Sequence, residues 1–355
     1  MKNKMNYNWT LKDANFTKDK GKVFSCFACG GGSTMGYKLA GFDVIGHNDI
    51  DPKMVEVYKE NHKPKFSYLE SITTFAKRKD LPKELYELDI LDGSPPCSSF
   101  SMAGNREKDW GKEKKFREGQ ELQVLDTLFF DFIDLAKELQ PKVVVAENVK
   151  GLLLGEAKKY VIEIYKAFDE AGYTCQHFLI KANNLGIPQK RERVFFIALR
   201  KDLSSEFMEY VDMFTEIPKL ELNFNEKEIL FNEVFEDYED RPIKGKLLEV
   251  WEKRKYGDLD MSCTSGREYN KPNNFFNYNY IYLDKVPNTL TAKECNSLFD
   301  RPRYFNKSEL CKIGSYPSDY NFLNNKPHYL IGMSVPPLMT GKIAEQIYKQ
   351  WLSKL

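Results

Sequence analysis

Three things are nearly absent from this 355-residue chain, and each absence narrows what it can be. The first is net charge. Lys and Arg number 53 against 52 Asp and Glu, so no global positive field announces a nucleic-acid partner, and any such binding needs a local patch. The second is a long apolar run. No uncharged stretch approaches the ~18–20 residues of a membrane span. The opening MKNKMNYNWTLKDANF also lacks an apolar h-region and a cleavage pattern, so secretion is not expected. The third is paired cysteine. The seven cysteines (Cys26, Cys29, Cys97, Cys175, Cys263, Cys295 and Cys311) are odd in number and scattered, which fits a reducing cytosol. Cys26 and Cys29 form a CxxC with no second CxxC or HxxxH to complete a zinc site, and read as small thiols in a strand and its turn.

What is present describes a globular protein. Apolar residues make up 42% and charged residues 30%, ordinary values in a chain long enough for one large or two ordinary domains. VFSCF at 23–27 reads as a strand that breaks at Gly30, Gly31 and Gly32 and continues into a helix. FDVIGHNDI, LDILDG, KVVVAEN and RVFFIAL read as further strands. Between them lie a helix opened by Pro52, a helix over 121–139 with i, i+3, i+4 apolar spacing, and another ahead of RVFFIAL. Such alternation predicts a doubly wound, mostly parallel α/β sheet covered on both faces. Beyond Arg200 the alternation stops. Residues 201–240 hold three Lys/Arg against thirteen Asp/Glu, and 241–300 turn rich in Asn, Tyr and Phe. A smaller second domain is therefore placed at 201–300. The first takes 1–200 plus 301–355, since the tail VPPLMTGKIAEQIYKQWLSKL reads as an amphipathic helix able to return to it.

Four polar clusters fall at strand ends. The turn FACGGGSTMG lets backbone approach a nucleotide closely, and Asp49 follows about 20 residues on, where an acid commonly meets a ribose. GSPPCSSFS places Cys97 behind two prolines, where a lowered pKa would make it a nucleophile. VVVAENVKG sets Glu147 and Asn148 at the end of an apolar strand, and IPQKRERVFF sets Arg191 and Arg193 at the start of another.

These residues resemble one family, the cytosine-C5 DNA methyltransferases that use S-adenosyl-L-methionine. GSPPCSSFS is similar to that family's nucleophile turn, ENV to its glutamate motif and QKRER to its Q-x-R-x-R motif. VPNTLTA, RPRYFNKSELCKIGSYPSDY and IGMSVPP resemble its later motifs, in the family's order. The resemblance covers most of the chain and implies the Rossmann-like fold of S-adenosylmethionine-dependent methyltransferases with a target-recognition domain at 201–300.

It also implies roles. Cys97 would add to cytosine C6, Glu147 would contact N3 and N4, Arg193 the O2 edge, and Arg191 a phosphate or the thiolate's surroundings. The base would have to be flipped from double-stranded DNA. Phe27, Gly31, Gly32, Asp49, Ile50, Ser71, Ile72, Pro95, Leu128, Met333 and Ser334 would hold the cofactor. Ser99, Arg106, Gln189, Arg254, Arg267, Lys271 and Arg303 would meet DNA. Residues 98–120 would form a lid beside Cys97. A restriction–modification setting, with a cognate endonuclease and a monomeric, cytoplasmic, nucleoid-associated enzyme, would follow.

The chain departs from the family at five places: Cys29 for Gly, Asp49 for Glu, Ser71–Ile72 for Asp-Ile, Ser98 for Gln and Met333 for Asn. The Ser71 change asks Glu70 or Ser71 itself to meet the adenine. Within 241–300, Asn273, Asn274 and the Tyr/Phe cluster offer base-reading groups or simply a core. Three other readings compete. An RNA methyltransferase of the same fold carries a Cys-Phe-Thr signature, which this chain lacks. A non-catalytic DNA-binding relative leaves the retained catalytic set unexplained. A nicotinamide dehydrogenase shares only the glycine turn.

Overall fold

The computed structural model describes residues 5–96, 113–114, 123–124, 127–155, 157–210, 212, 216–238, 240–272, 274–275 and 277–355. The chain forms two compact units. One takes Asn15–Ile180, Glu192–Asn223 and Met339–Leu355; the other takes Met1–Ala14, Lys181–Arg191 and Phe224–Leu338. The change of composition at 200 therefore does not coincide with the change of unit, which falls after 223, and 301–338 groups with the segment before it.

The larger unit is built on seven strands: β1 (Lys22–Cys26), β2 (Asp43–Asp49), β3 (Phe66–Leu69), β4 (Ile90–Gly93), β7 (Val143–Val149), β8 (Tyr173–Lys181) and β9 (Glu192–Arg200). They lie in the order β3-β2-β1-β4-β7-β9-β8. The first five of that order are mutually parallel, and β9 runs antiparallel to β7. This is the mostly parallel sheet the alternation predicts and the Rossmann-like arrangement the family resemblance implies. Short antiparallel pairs stand apart from it: β5 (Glu113–Lys114) with β6 (Gln123–Val124), and β10 (Met208–Tyr210) with β11 (Glu216–Pro218).

Local chemistry explains the helices. α1 (Gly32–Leu39) starts where the glycine turn ends. α2 (Pro52–His62) is capped by Asp51, whose carboxylate accepts from the Lys53 and Met54 amides, with Pro52 in the first position. α3 (Ile72–Phe75) is a single turn. α4 (Leu128–Leu139) buries Leu128, Phe129, Phe132, Ile133, Leu135 and Leu139 on one stripe. It starts later than the 121–139 expectation, because that stripe begins at Leu128 and residues 123–124 belong to β6. α5 (Ala157–Glu170) covers the sheet beside it. Phe24, Leu91, Val144 and Phe196 from four strands pack against Phe129, Phe132, Ile164 and Phe168 of these helices. β3 has no counterpart in the sequence reading. It is a short edge strand, half-buried until its exposed last residue, and carries no strong apolar pattern. LDILDG is thus the fourth strand, not the third.

The smaller unit contains α6 (Lys246–Glu252), α7 (Met261–Tyr269), α8 (Lys307–Ile313), α9 (Pro327–Met333) and a parallel pair, β12 (Asn279–Ile281) with β13 (Asn296–Leu298). Ile243, Val250, Trp251, Met261, Tyr280 and Tyr282 form its core, with Tyr282 stacked on Phe299 at 4.5 Å between ring centres. The aromatic enrichment of 241–300 is thus largely packing. α10 (Pro337–Gln350) brings the tail back to the larger unit, where Tyr348 packs edge-on against Phe42 and Trp351 Nε1 donates to the Lys219 carbonyl at 2.7 Å. Among the described residues no helix is long and apolar enough to cross a membrane.

Phe132 is fully buried at the centre of the α4 stripe. Phe132→Ala should lower unfolding free energy by about 3–5 kcal/mol, the usual range for a large buried aromatic. Equilibrium urea denaturation checks this.

Candidate active site and cofactor cradle

In the larger unit, the turn after β1 is built from unusual backbone. Phe27 and Cys29 both take positive φ, at 52° and 48°, and Gly31 caps α1 at 82°. Cys29 thus occupies a conformation in which glycine is the easier residue, which accounts physically for glycine at this place in the family. At Gly31 space is decisive as well: a Cβ there would lie 2.2 Å from His62 Nε2. That imidazole nitrogen lies 3.2 Å from the Gly30 carbonyl oxygen. Burial pushes the His62 pKa down to about 3, so the ring is neutral.

No side chain caps α1. Its first amides set the positive end of the helix dipole beside the glycine turn, the usual arrangement for an anionic or nucleotide-like group. Asp49, at the end of β2, accepts from the Cys29 amide at 2.7 Å and the Asp51 amide at 2.8 Å. Its pKa is pushed up to about 6 by burial, against the pull of those amides. The carboxylate therefore locks the turn to β2 while keeping acceptor capacity for a hydroxyl pair. Phe27 is half-buried against the core and 6.3 Å from Phe132 between ring centres. Ile50 is half-buried, while Ile72 and Leu128 are buried.

Two expectations about the adenine end change. Ser71 caps α3, its Oγ accepting from the Thr74 amide at 3.1 Å, and Glu70 is paired with Arg78 at 2.9 Å. Both polar side chains are engaged within the fold. Only their backbone and the Ile72 side chain remain as simple contacts. With that exception, the cradle fits an adenosine-bearing ligand with a charged amino-acid tail. Gly31 and Gly32 would border the tail, and Asp49 would accept from the ribose.

The candidate catalytic cluster begins at the end of β7. The β7–β9 register sets Glu147 opposite Phe195 and Val149 opposite Arg193. Across it, Arg193 Nε donates to Glu147 Oε1 at 2.8 Å, with the side chains only 16% and 12% exposed. Burial holds the Arg193 guanidinium below its ordinary pKa, and Glu147 opposes that effect. Among the described residues, Glu147 Oε2 and Arg193 Nη2 carry no further hydrogen bond. Beside them Asn148 Nδ2 donates to the Pro95 carbonyl at 3.2 Å, tying β7 to the buried proline that follows β4. Cys97, Ser98, Ser99, Arg106 and most of the 98–120 segment lie outside the described residues.

Arg191 differs from Arg193. It belongs to the smaller unit, is 2% exposed, and donates to the carbonyls of Leu290 (2.8 Å), Gly332 (3.2 Å) and Ser334 (2.9 Å). The expected role at a phosphate or thiolate is replaced by a structural one, since the guanidinium fastens QKRER to NTLTA and to GMSVPP. Gln189 does the same from both ends of its amide, donating to Ile313 O and accepting from Leu290 N. Gly332 completes the clamp, because a Cβ there would meet the Thr291 carbonyl oxygen at 2.2 Å. Ser334 is buried, accepting from Tyr316 and donating to Leu330 O, whereas Met333 is 46% exposed.

Most of the arginines expected to meet DNA are also engaged. Arg303 is bidentate with Glu309, at 2.8 and 2.9 Å, and buried. Arg267 grips Asp258 at 2.6 and 3.0 Å and reaches Glu268. Arg254 stacks on Trp251 and donates to the Phe299 and Trp251 carbonyls. A guanidinium held in this way has few donors left for a base edge. Lys271 remains exposed. A cleft of about 290 Å³ in this unit has a mixed lining, with Lys190, Lys285, Asp260, Asn279 and Asn288 beside Leu259, Ile281 and Val286, and only Asp260 in that set is acidic. Its lysines had no signal beyond ordinary surface charge.

A glycine turn, a buried carboxylate at the next strand and a carboxylate–guanidinium pair thus stand at the strand ends of one mostly parallel α/β sheet. The comparison with known families is specific: the sequence profile of the C-5 cytosine-specific DNA methylases matches residues 21–349, and the chain belongs to that family. It is 36% identical to Type II methyltransferase M.FnuDI of Fusobacterium nucleatum over 53% of this chain, and 26% identical to M1.HphI of Haemophilus parahaemolyticus over 91%. The first match spans 50% of that relative's length, the second 85%. The match to M.NgoPII of Neisseria gonorrhoeae also spans only half of that relative. In three dimensions the chain is similar to an E. coli prophage chain described as a DNA modification methyltransferase, with TM-score 0.62 and 19% identity, covering 93% of this chain and 99% of that one. That likeness concerns the fold.

Arg191→Ala would leave three buried carbonyls without their donor, at roughly 1–3 kcal/mol each. We expect a loss of at least about 3 kcal/mol, with Arg191→Lys restoring less than half because one ammonium cannot span three acceptors. Chemical denaturation of the two variants distinguishes this clamp from a purely catalytic arginine, whose loss would leave stability unchanged.

Proposed function

We propose that this chain methylates C5 of cytosine within a specific double-stranded DNA sequence, with S-adenosyl-L-methionine as the donor. Family membership supports the reaction, and the single observation that carries it here is the Glu147–Arg193 pair at the β7–β9 junction. A flipped cytosine presents N4, N3 and O2 along one edge. A carboxylate with one oxygen uncommitted accepts from N4–H and from N3 once protonated, and a neighbouring guanidinium donates to O2. Charge that develops on the ring when the Cys97 thiolate bonds to C6 is thereby accommodated, and C5 becomes nucleophilic. The bound sulfonium supplies an electrophilic methyl group. Loss of the C5 proton with cleavage of the Cys97–C6 bond then restores the aromatic ring and the thiolate.

Other assignments follow from the site. Phe27, Gly31, Gly32 and Asp49 would hold the cofactor, with Pro95 near its reactive end. Phosphate contact falls to Lys190 and Lys285 of that cleft and to Lys271, in place of the engaged arginines. The larger unit would be the catalytic domain, and the target-recognition domain would lie within the smaller one. A Type II setting like that of the named relatives, with a partner endonuclease and a monomeric enzyme, completes the reading.

Enzymatic methyl-sequencing of DNA from bacteria expressing the protein, beside a Cys97→Ser control, tests the reaction. We expect C5-methylated cytosines in one short sequence context, absent from the control. Unmodified DNA from a soluble protein would overturn the reading. Glu147→Gln should cost about 10²-fold or more in turnover with the fold retained. Lys190→Ala with Lys285→Ala should reduce the slope of log binding constant against log salt by about 0.9 for each phosphate that the wild-type lysines neutralise.

A further inference from the structure

One buried group near the glycine turn has no part in the mechanism above. Asp92, on β4 five residues ahead of Cys97, is 3% exposed. Its side chain lies on the α1 face of the sheet, level with Ser25 in the β1–β4 register. Oδ2 accepts from Ser25 Oγ at 2.7 Å and Ser33 Oγ at 2.8 Å, and Oδ1 accepts from Tyr37 at 3.2 Å. Ser33 is the second residue of α1, directly after Gly32. The carboxylate is therefore hydrogen-bonded into the floor of the cradle, by hydroxyls alone. Among the described residues no cation forms an ion pair with it.

Burial of an unneutralised carboxylate is expensive, and here burial pushes the pKa up to about 6. The hydroxyls only partly oppose that rise. An apolar or amide side chain would meet no such penalty, so the charge needs another reason to be there. The methyl donor and the product left after transfer supply one. They share adenosine and the amino-acid tail, and differ by one methyl group and one positive charge. A fixed negative charge under the cradle stabilises the cation and does little for the neutral thioether.

We propose that Asp92 is the counter-charge by which this enzyme prefers the cationic donor over its neutral product, a specificity-determining residue that lowers product inhibition. The proposal rests on the cofactor reading above. It does not place Asp92 in contact with the ligand. A buried charge acts well beyond contact, and at an effective dielectric of about 20 it changes the preference roughly tenfold from about 12 Å away.

The groups around Asp92 leave it as a titrating element in a usable window. Tyr37 on α1, Tyr58 on α2 and Cys26 on β1 are all held above their ordinary pKa by burial. His47 and His62 are pushed down to about 3, so both stay neutral from pH 5 to 7. Glu147 on β7 disfavours the ionised form of Asp92 and is itself paired with Arg193. Asp49 is the other buried carboxylate of the cradle, with its pKa also near 6. As pH falls through about 6, Asp92 takes up a proton and the preference for the cation weakens. The α-amino and α-carboxyl groups of both ligands keep essentially one charge state between pH 5 and 7.

Titration calorimetry of the full chain with S-adenosylmethionine and S-adenosylhomocysteine gives the test. Wild type should bind the sulfonium more tightly relative to the thioether at pH 7 than at pH 5. Asp92→Asn should shrink the pH 7 ratio about tenfold, moving thioether affinity less than about twofold, and should flatten the pH dependence. Asp49→Asn should weaken both ligands together, because the ribose is common to both, and Glu147→Gln should leave the ratio's pH dependence in place. Equal loss of both ligands in Asp92→Asn would mean a merely structural carboxylate and overturn the proposal. So would a wild-type ratio that stays flat from pH 7 to 5, a measurement that stands even if the variant does not fold. A wild type that binds neither ligand would sink the cofactor reading itself, and this proposal with it. Binding of both ligands with an unresponsive ratio sinks the proposal alone.

Discussion

The ion pair between Glu147 and Arg193 depends on a reversal of strand direction. In a wholly parallel sheet the start of one strand and the end of its neighbour lie at opposite edges, and a motif ahead of β9 could never reach one that closes β7. Because β9 runs antiparallel to β7, Val149 faces Arg193 in register, and the beginning of one motif comes beside the end of the other. The glycine turn after β1, Asp49 closing β2, Pro95 beyond β4 and the pair itself then all belong to the same edge of the sheet. That edge is where open α/β sheets place their ligands. One inverted strand is the condition for that juxtaposition.

Two neighbouring arginines of one motif illustrate how division of labour escapes a sequence reading. Arg191 and Arg193 are two residues apart and look equivalent in QKRER. One faces an acid across a β-ladder, with donors to spare for a planar ligand. The other faces three carbonyls and joins motifs scattered from 189 to 334. The clamp explains why segments so distant carry their own recognisable residues. Gly332 admits the Thr291 backbone, Ser334 presents a carbonyl, and Leu290 meets both Arg191 and Gln189.

Much of the fold was legible because its strands are apolar, bounded by turns and separated by helices with an apolar stripe. Pro52 marked the start of α2 correctly, while β3 escaped because an edge strand needs little apolar character. The cradle and Glu147 were legible as polar residues abutting apolar strands. The arginines of the smaller unit were not, because charge in a sequence does not say whether its partner is a phosphate or a carboxylate a few residues away. Arg303 with Glu309 and Arg267 with Asp258 are local pairings that only coordinates reveal. Asp92 left a trace, the second of two acids inside LDILDG, but nothing in the spacing ties it to Ser25, Ser33 and Tyr37.

The interleaving of the two units bears on how the chain is made. All seven strands of the sheet are present once residue 200 has been synthesised, yet the aromatic contact that covers Phe42 comes from Tyr348. A nascent chain therefore carries a nearly complete sheet with an apolar gap through the production of more than a hundred further residues. Cover of Phe42 by that ring waits for α10, far along the chain from the strands it protects.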